Sequence, residues 1–295
     1  MQSIVKRDLL RRLIRLLEDP SAEEEPAGFT IPARDYACQE RLDAELNCVF
    51  RRVPLLLAHS SGLPDKGSFI RFEFAGLPLF AVRDDQGRAR VFHNRCRHRG
   101  ALLAEAPCGT ARSFVCPYHG WTYGLDGRLS GVSKRGSFSA EGLQDRHLKE
   151  VASAERHGFI WARLQGPEPV DLSRYLGPVL DDDLGAFDFE SLHLLRQVEM
   201  ERAANWKLVV DAFAEGYHVP VLHRDSLSRF FESAVLFDDC SPHARHLGAR
   251  KSLAEMRDLP EKQWDLRAHT TLFYNVFPKV VLVFHPTWIS QMSLF

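Results

Sequence analysis

Two segments decide the reading: Asn94-Arg95-Cys96-Arg97-His98-Arg99-Gly100-Ala101-Leu102-Leu103 and Cys116-Pro117-Tyr118-His119-Gly120-Trp121-Thr122-Tyr123. Reduced to side chains that bind metals, they are Cys-x-His and Cys-x-x-His, with residues 99–115 between His98 and Cys116. Two thiolates and two imidazoles suit either a zinc ion or an iron–sulfur cluster. The single residue between Cys96 and His98, with Arg-Gly and Gly-Trp just after the two histidines, favours iron. A zinc knuckle and four unrelated core side chains are the plainer alternatives.

Around these segments the hydrophobic period is two. Ser68–Phe74, Pro78–Arg83 and Arg88–His93 read as short strands, separated by Gly76 and by Asp84-Asp85-Gln86-Gly87. Phe114–Cys116, Thr122–Leu125 and Gly158–Leu164 continue the pattern, with a hairpin turn at Asp126-Gly127. A small antiparallel β domain is therefore expected over 45–165, closed by Gly166-Pro167-Glu168-Pro169. Residues 1–44 form the lead-in: an amphipathic helix over 4–17, an acidic connector at Ser21–Ala27 and a short helix near Cys38–Leu46. The first helix is expected to pack on the body of the protein rather than on a membrane surface. The third region, 166–295, begins with Leu176–Leu184 and a strand at Leu192–Met200, then a helix from about Ala204. Phe237–Gly248 reads as a polar loop and Leu253–Leu259 as a short helix. Leu272–Phe277, Val280–Phe284 and Trp288–Phe295 read as strands.

Bulk composition narrows the class. At 295 residues the chain is long enough for two domains with cores of their own. It is 45% hydrophobic and 26% charged, as ordinary soluble proteins are. A net charge of −1 argues against nucleic acid as a partner. The cysteines at 38, 48, 96, 108, 116 and 240 show no disulfide framework, so a reducing, cytoplasmic setting is expected. No stretch approaches the roughly 20 apolar residues of a membrane span. Arg11, Arg12 and Arg15 would interrupt a secretory leader.

A second dense stretch runs from Asn205-Trp206-Lys207 to His223. Asp211, Glu215 and His218 recur at helical spacing and are expected on one helix face. Pro220 is expected to bend the chain after His218, bringing His223 back towards it. By spacing alone the two histidines are thin grounds for a metal, and a helix-capping His218 beside a surface His223 fits as well.

The first pair of segments resembles the Rieske segment of the Rieske non-haem iron (aromatic-ring-hydroxylating) oxygenase α subunits, through His98-Arg99-Gly100 and Cys116–Tyr123. Asn205–His223 resembles the mononuclear-iron motif of the same family, Asn-Trp-Lys leading into acidic-x-x-His-x4-His. It departs at Asp211-Ala212, where many members have Glu-Asn. The resemblance implies an α+β protein: a small antiparallel β Rieske domain and an α+β helix-grip (START-like) catalytic domain. It implies that Cys96 and Cys116 hold one iron of a [2Fe–2S] cluster while His98 and His119 hold the other. His218 and His223 would ligate a mononuclear Fe(II). Glu215 would link the cluster of one subunit to the iron of its neighbour, and Asp211 would support that site.

The same resemblance implies partners and a reaction. Electrons from NAD(P)H would arrive through a reductase, with or without a ferredoxin. O2 and an aromatic or other small organic substrate would meet at the iron, inserting one or two oxygen atoms. A head-to-tail homotrimer is implied, with or without a β subunit. The family's third iron ligand is a carboxylate from a helix well downstream, and Asp225, Asp238, Asp239, Asp258 and Asp265 lie in no matching stretch. The chain is therefore expected to be a C-terminally incomplete form of a longer oxygenase. Phe213, Phe230, Phe231, Phe273 and Trp288 are candidate pocket walls or ordinary core. An electron carrier without oxygenase activity would need only residues 45–165 and would leave Trp206–His223 unexplained.

Overall fold

A computed structural model describes residues 3–20, 28, 30–166 and 169–294. The expected connector Ser21–Ala27, Pro167 and Glu168 of the expected boundary, and Phe295 lie outside the described residues. Three helices open the chain: α1 (Ser3–Glu18), α2 (Arg34–Ala37) and α3 (Gln39–Glu45). In α1 the apolar stripe Leu9, Leu10, Leu13 and Leu16 is buried, while Arg11 and Arg15 stay exposed. No helix among the described residues is long and apolar enough to cross a membrane.

The chain divides into two compact units interleaved in sequence. One comprises the N-terminal residues through Asp43, Leu176–Phe187 and Met200–Leu294; the other comprises Ala44–Tyr175 and Asp188–Glu199.

The unit with the Cys-His segments is β-rich. Its strands are β1 (Leu55–His59), β2 (Ser68–Phe74), β3 (Leu77–Arg83), β4 (Ala89–His93), β5 (Cys108–Thr110), β6 (Phe114–Val115), β7 (Thr122–Tyr123), β8 (Leu129–Gly131), β9 (Glu150–Arg156) and β10 (Phe159–Arg163), with a short α4 (Ala140–Leu143). Seven strands pair antiparallel in the order β1-β10-β9-β4-β3-β2-β5, and β6-β7-β8 form a second, small sheet. Ala75 and Gly76 both take left-handed angles and close the β2–β3 hairpin, the geometry that matches strand twist. Phe80, Phe92, Phe114, Trp121, Tyr123 and Leu125 fill a core that also buries Cys96 and Cys116. Burying each large aromatic stabilises by roughly 1.5–3 kcal/mol, so the two thiols sit in the most strongly held part of the unit.

The other unit contains α5 (Leu172–Ala186) from Leu176 on, with a kink at Gly177, then α6 (Trp206–Phe213) and α7 (Val219–Leu222). After them come β11 (Phe231–Cys240), β12 (His243–Arg250), α8 (Leu253–Arg257), α9 (Leu266–His269), β13 (Thr270–Val276), β14 (Val280–Phe284) and β15 (Ile289–Ser293). The five strands form an antiparallel meander in chain order. Helix α1 lies along β11, where Arg12 reaches Asp238 at 2.6 Å.

Two expectations about elements are corrected here. Phe237–Gly248 is no loop: it is most of the β11–β12 hairpin, turned at Ser241-Pro242. Its polar residues answer one another, because Arg245 donates to Asp238 and to Asp183 of α5, both at 2.6 Å. Leu192–Met200 is no strand. No described strand pairs with it, so its backbone lacks a ladder, and Leu195 is 97% exposed.

Candidate metal centres

The two Cys-His loops share one backbone construction. In the loop after β4, Gly100 N–H donates to the Cys96 carbonyl at 2.9 Å and Cys96 N–H donates to the Ala101 carbonyl at 2.8 Å. In the loop between β6 and β7, Gly120 N–H donates to the Cys116 carbonyl at 2.9 Å and Cys116 N–H to the Trp121 carbonyl at 2.7 Å. Both glycines take left-handed angles, φ 77° and 68°, which a residue with a Cβ resists. Asn94 ties the base of the first loop. Fully buried, it accepts from Leu103 and Ala104 N–H through Oδ1 and donates to the Ala104 carbonyl through Nδ2.

These frames bring the four predicted side chains together. Cys96 and Cys116 are both buried, and burial raises the Cys96 thiol above its ordinary pKa. The rings of His98 and His119 stand edge to face, 4.6 Å between centroids. Trp121 stacks on His98 at 4.8 Å and 8°, and Tyr118 lies 3.9 Å from His119. Burial, and the nearby His119, Arg99 and Arg146, lower the pKa of His98, keeping it in the neutral form that can ligate.

Nδ1 of His98 and Nδ1 of His119 are both buried without a hydrogen-bond partner. Leaving two such atoms dry and unpaired is costly unless something else binds them. Two buried thiols beside two unpaired imidazole nitrogens are the donor set that a [2Fe–2S] cluster with mixed ligation takes. The residues present fit the group.

The second stretch folds differently from its expected single helix. Asn205 caps α6 through its side chain, accepting from Lys207 N–H at 3.0 Å, but the helix ends at Phe213. Pro220 falls in the first turn of α7, where its missing N–H costs nothing, so the chain breaks before His218 and not after it. Asp211 is consequently separated from the other predicted residues. It is exposed, and its carboxylate accepts from Tyr36 Oη at 2.8 Å.

Glu215, His218 and His223 do come together. One Glu215 oxygen accepts from His218 N–H at 3.1 Å and the other pairs with His218 Nδ1. Burial alone would raise the Glu215 carboxyl, yet the hydrogen bonds from His218 prevail and hold it below its usual range. With Nδ1 engaged, Nε2 of His218 is the nitrogen left for a metal, and the His223 ring lies 5.3 Å away. Among the described residues no three His, Cys, Asp or Glu side chains converge on a single ion. Asp238 pairs with Arg245, Asp239 accepts from Ser241 N–H and Asp265 caps α9. Asp225 lies by Arg224, and Asp258 by Arg257.

Residues 53–144 match the family model of the Rieske [2Fe-2S] domain, and residues 189–295 match that of the ring hydroxylating alpha subunit (catalytic domain). The chain belongs to the Rieske oxygenase α-subunit family. This α-subunit chain is 30% identical over 213 residues to the glycine betaine monooxygenase oxygenase subunit of Pseudomonas aeruginosa, covering 70% of this chain and 47% of that protein. It is 34% identical over 211 residues to the large oxygenase component of a naphthalene 1,2-dioxygenase system, also from Pseudomonas aeruginosa, covering 68% and 46%. It thus spans about half the length of the curated relatives it matches. Its fold follows that of a quaternary ammonium Rieske monooxygenase solved with L-carnitine, at TM-score 0.79 and 19% identity over 97% of this chain and 73% of that one. Naphthalene 1,2-dioxygenase from Rhodococcus sp. gives 0.67 at 24% identity, over 94% and 68%.

Two residues of the deciding segments have contacts that their place in the motif does not reveal. Tyr123 Oη, buried in the core, approaches Cys96 Sγ at 3.4 Å and accepts from Arg97 N–H at 3.0 Å. Asn94 and Tyr123 both lie in these segments, but which groups they bind follows only from the folded loops.

Proposed function

We propose that this chain supplies the electron relay and the oxygen-activating centre of a Rieske oxygenase that hydroxylates a small organic substrate with O2. One observation supports it above the rest: a cluster donor set with two unpaired buried imidazole nitrogens shares a chain with the Glu215–His218–His223 group. When bound, the [2Fe–2S] cluster stores and passes single electrons, and the mononuclear Fe(II) offers open positions at which O2 reacts.

Cys96, Cys116, His98 and His119 would hold the cluster, leaving the outer edges of the two imidazoles to meet an acceptor. Glu215 would orient His218 through Nδ1, fixing which nitrogen faces the metal. Its lowered pKa keeps it an anion at neutral pH, able to accept a hydrogen bond from a cluster histidine of a neighbouring subunit in a homotrimer. Asp211, held by Tyr36, supports α6 from outside this group.

Two electrons and two protons balance either outcome with one O2. One oxygen atom enters the substrate and the other leaves as water, or both enter as a diol. NAD(P)H would supply the electron pair through a reductase, with or without a ferredoxin. Relatives named for glycine betaine and for naphthalene support a small organic substrate, aromatic or not. One further reading has an observation behind it: among the described residues no third donor converges near His218 and His223, as a cluster-only electron carrier would have it.

Iron and zinc per chain on anaerobically purified protein, with EPR after reduction, test the proposal. About three irons and a Rieske-type signal are expected, falling to about two in His218→Ala. About two irons in the wild-type chain would favour the carrier. Bound zinc and no signal would overturn both.

A further inference from the structure

Trp121 belongs to the loop that carries Cys116 and His119, and its carbonyl accepts the Cys116 N–H at 2.7 Å. Its side chain crosses to the other loop. The indole lies on the ring of His98, 4.8 Å between centroids and 8° from parallel. Tyr123, two residues on, makes the same crossing: its hydroxyl accepts the Arg97 N–H at 3.0 Å and lies 3.4 Å from Cys96 Sγ. Alternate residues along a strand share a face, so one face of 121–123 is turned to the first loop. Phe138, just before α4, stands edge-on to Trp121 at 5.7 Å and to His98 at 6.2 Å. Trp121 itself is 3% exposed.

This packing sets what the backbone of His98 leaves loose. The torsion that turns an imidazole about its Cβ–Cγ bond has broad minima, so the ring plane has to be fixed from outside. A ligating histidine is ordinarily steadied by a hydrogen bond from its other nitrogen. Among the described residues, neither ring nitrogen of His98 has a hydrogen-bond partner. Stacking takes that place: the indole holds the ring plane, and the edge of His119, at 4.6 Å and 69°, limits rotation. His119 is held differently. Its neighbour is Tyr118, at 3.9 Å and 31°, and that residue is 61% exposed. One imidazole is thus clamped by a buried ring from the opposite loop, the other only touched by an exposed one.

We propose that Trp121 is a positioning residue: reaching across from the second loop, it fixes the ring plane in which His98 offers Nδ1 and keeps water off that face. This role rests on the proposed cluster. Solvent exposure is one of the determinants of a cluster's potential, and water favours the more negative, reduced state. Opening this face should therefore raise the potential, while tilting the ring changes the coupling of a single nitrogen.

Trp121→Phe keeps a flat ring over His98, and Trp121→Leu removes it. Pulsed EPR of the reduced, cluster-loaded chain resolves the two histidine nitrogens, and redox titration gives the potential. In Trp121→Leu one nitrogen coupling should change and the other stay. The one-electron equilibrium should shift about tenfold towards reduction, roughly 60 mV. Trp121→Phe should recover most of both changes. Phe138→Leu, outside both loops, should give the same one-sided change at smaller size, and it decides the matter if Trp121→Leu holds no cluster. Unchanged couplings and potential in the leucine variants, both nitrogens shifted alike, or Trp121→Phe as altered as Trp121→Leu would overturn the proposal. A wild-type chain without a Rieske-type signal would overturn the cluster assignment and this role together; a normal wild-type signal with unaltered variants would overturn this role alone.

Discussion

Tyr123 Oη lies 3.4 Å from Cys96 Sγ while it accepts the Arg97 amide at 3.0 Å. With one lone pair taken by that amide, the hydroxyl proton is directed at the sulfur. Burial and the neighbouring sulfur raise the phenol pKa well above its ordinary value, so the group remains a donor. A hydrogen bond to a cluster sulfur favours the more negative, reduced state. Tyr123→Phe should lower the reduction potential by roughly 60 mV, about tenfold in a one-electron equilibrium. Redox titration followed by circular dichroism measures it, and an unchanged potential would remove Tyr123 from the tuning of the cluster.

Glu215→Gln keeps the size of the side chain and an oxygen for His218, but loses the charge. The cluster spectrum should be unchanged and substrate oxidation should fall by about 10- to 100-fold, as loss of an orienting partner of a metal ligand does. Stopped-flow reduction of the cluster beside product formation separates the two. Wild-type turnover in the variant would sink the linking role.

Glycines at left-handed angles in the cluster-bearing unit should differ in tolerance. A Cβ at Gly100 meets nothing within 4 Å, so Gly100→Ala costs only the backbone preference, about 1–2 kcal/mol. At Gly127, φ 78°, the Cβ would press on the Phe92 ring, with Cζ at 2.8 Å. Phe92 is core and cannot step aside, so Gly127→Ala should cost roughly 1–3 kcal/mol more. Urea melts of both variants give the comparison directly; equal losses would mean that the ring gives way.

Asp238 sets a pH dependence. Burial would raise its carboxyl, but hydrogen bonds from Arg245 and Arg12 hold it below its ordinary 3.8. A carboxylate whose pKa is depressed on folding stabilises above its unfolded value, and that stability is lost as pH falls through the folded value. The wild-type chain should therefore lose stability below about pH 4, and Asp238→Asn should lose less over the same span. At neutral pH the variant should be weaker by roughly 3–5 kcal/mol, because Arg245 stays buried with one partner fewer. Thermal melts from pH 3 to 7 test both halves.

The Rieske domain was legible because Cys96, His98, Cys116 and His119 stand out by type and spacing, and Ser68–His93 because its alternation is local. The β11–β12 hairpin was not, since Arg245 looks unfit for a sheet until Asp183, far away in sequence, is seen beside it. Pro220 misled for a related reason. A proline can stop one helix or start the next, and only tertiary packing decides which.

Gly100 and Gly120 each stand four residues after the cysteine of their loop and return to its carbonyl, although His98 follows Cys96 by two residues and His119 follows Cys116 by three. The cysteine and the glycine, then, are the fixed points of each loop, and the histidine is a passenger that can ride at either of two places. Such a frame is indifferent to its second ligand. Exchanging His98 and His119 for cysteines would ask nothing new of the chain path, so one scaffold could serve clusters of quite different potential.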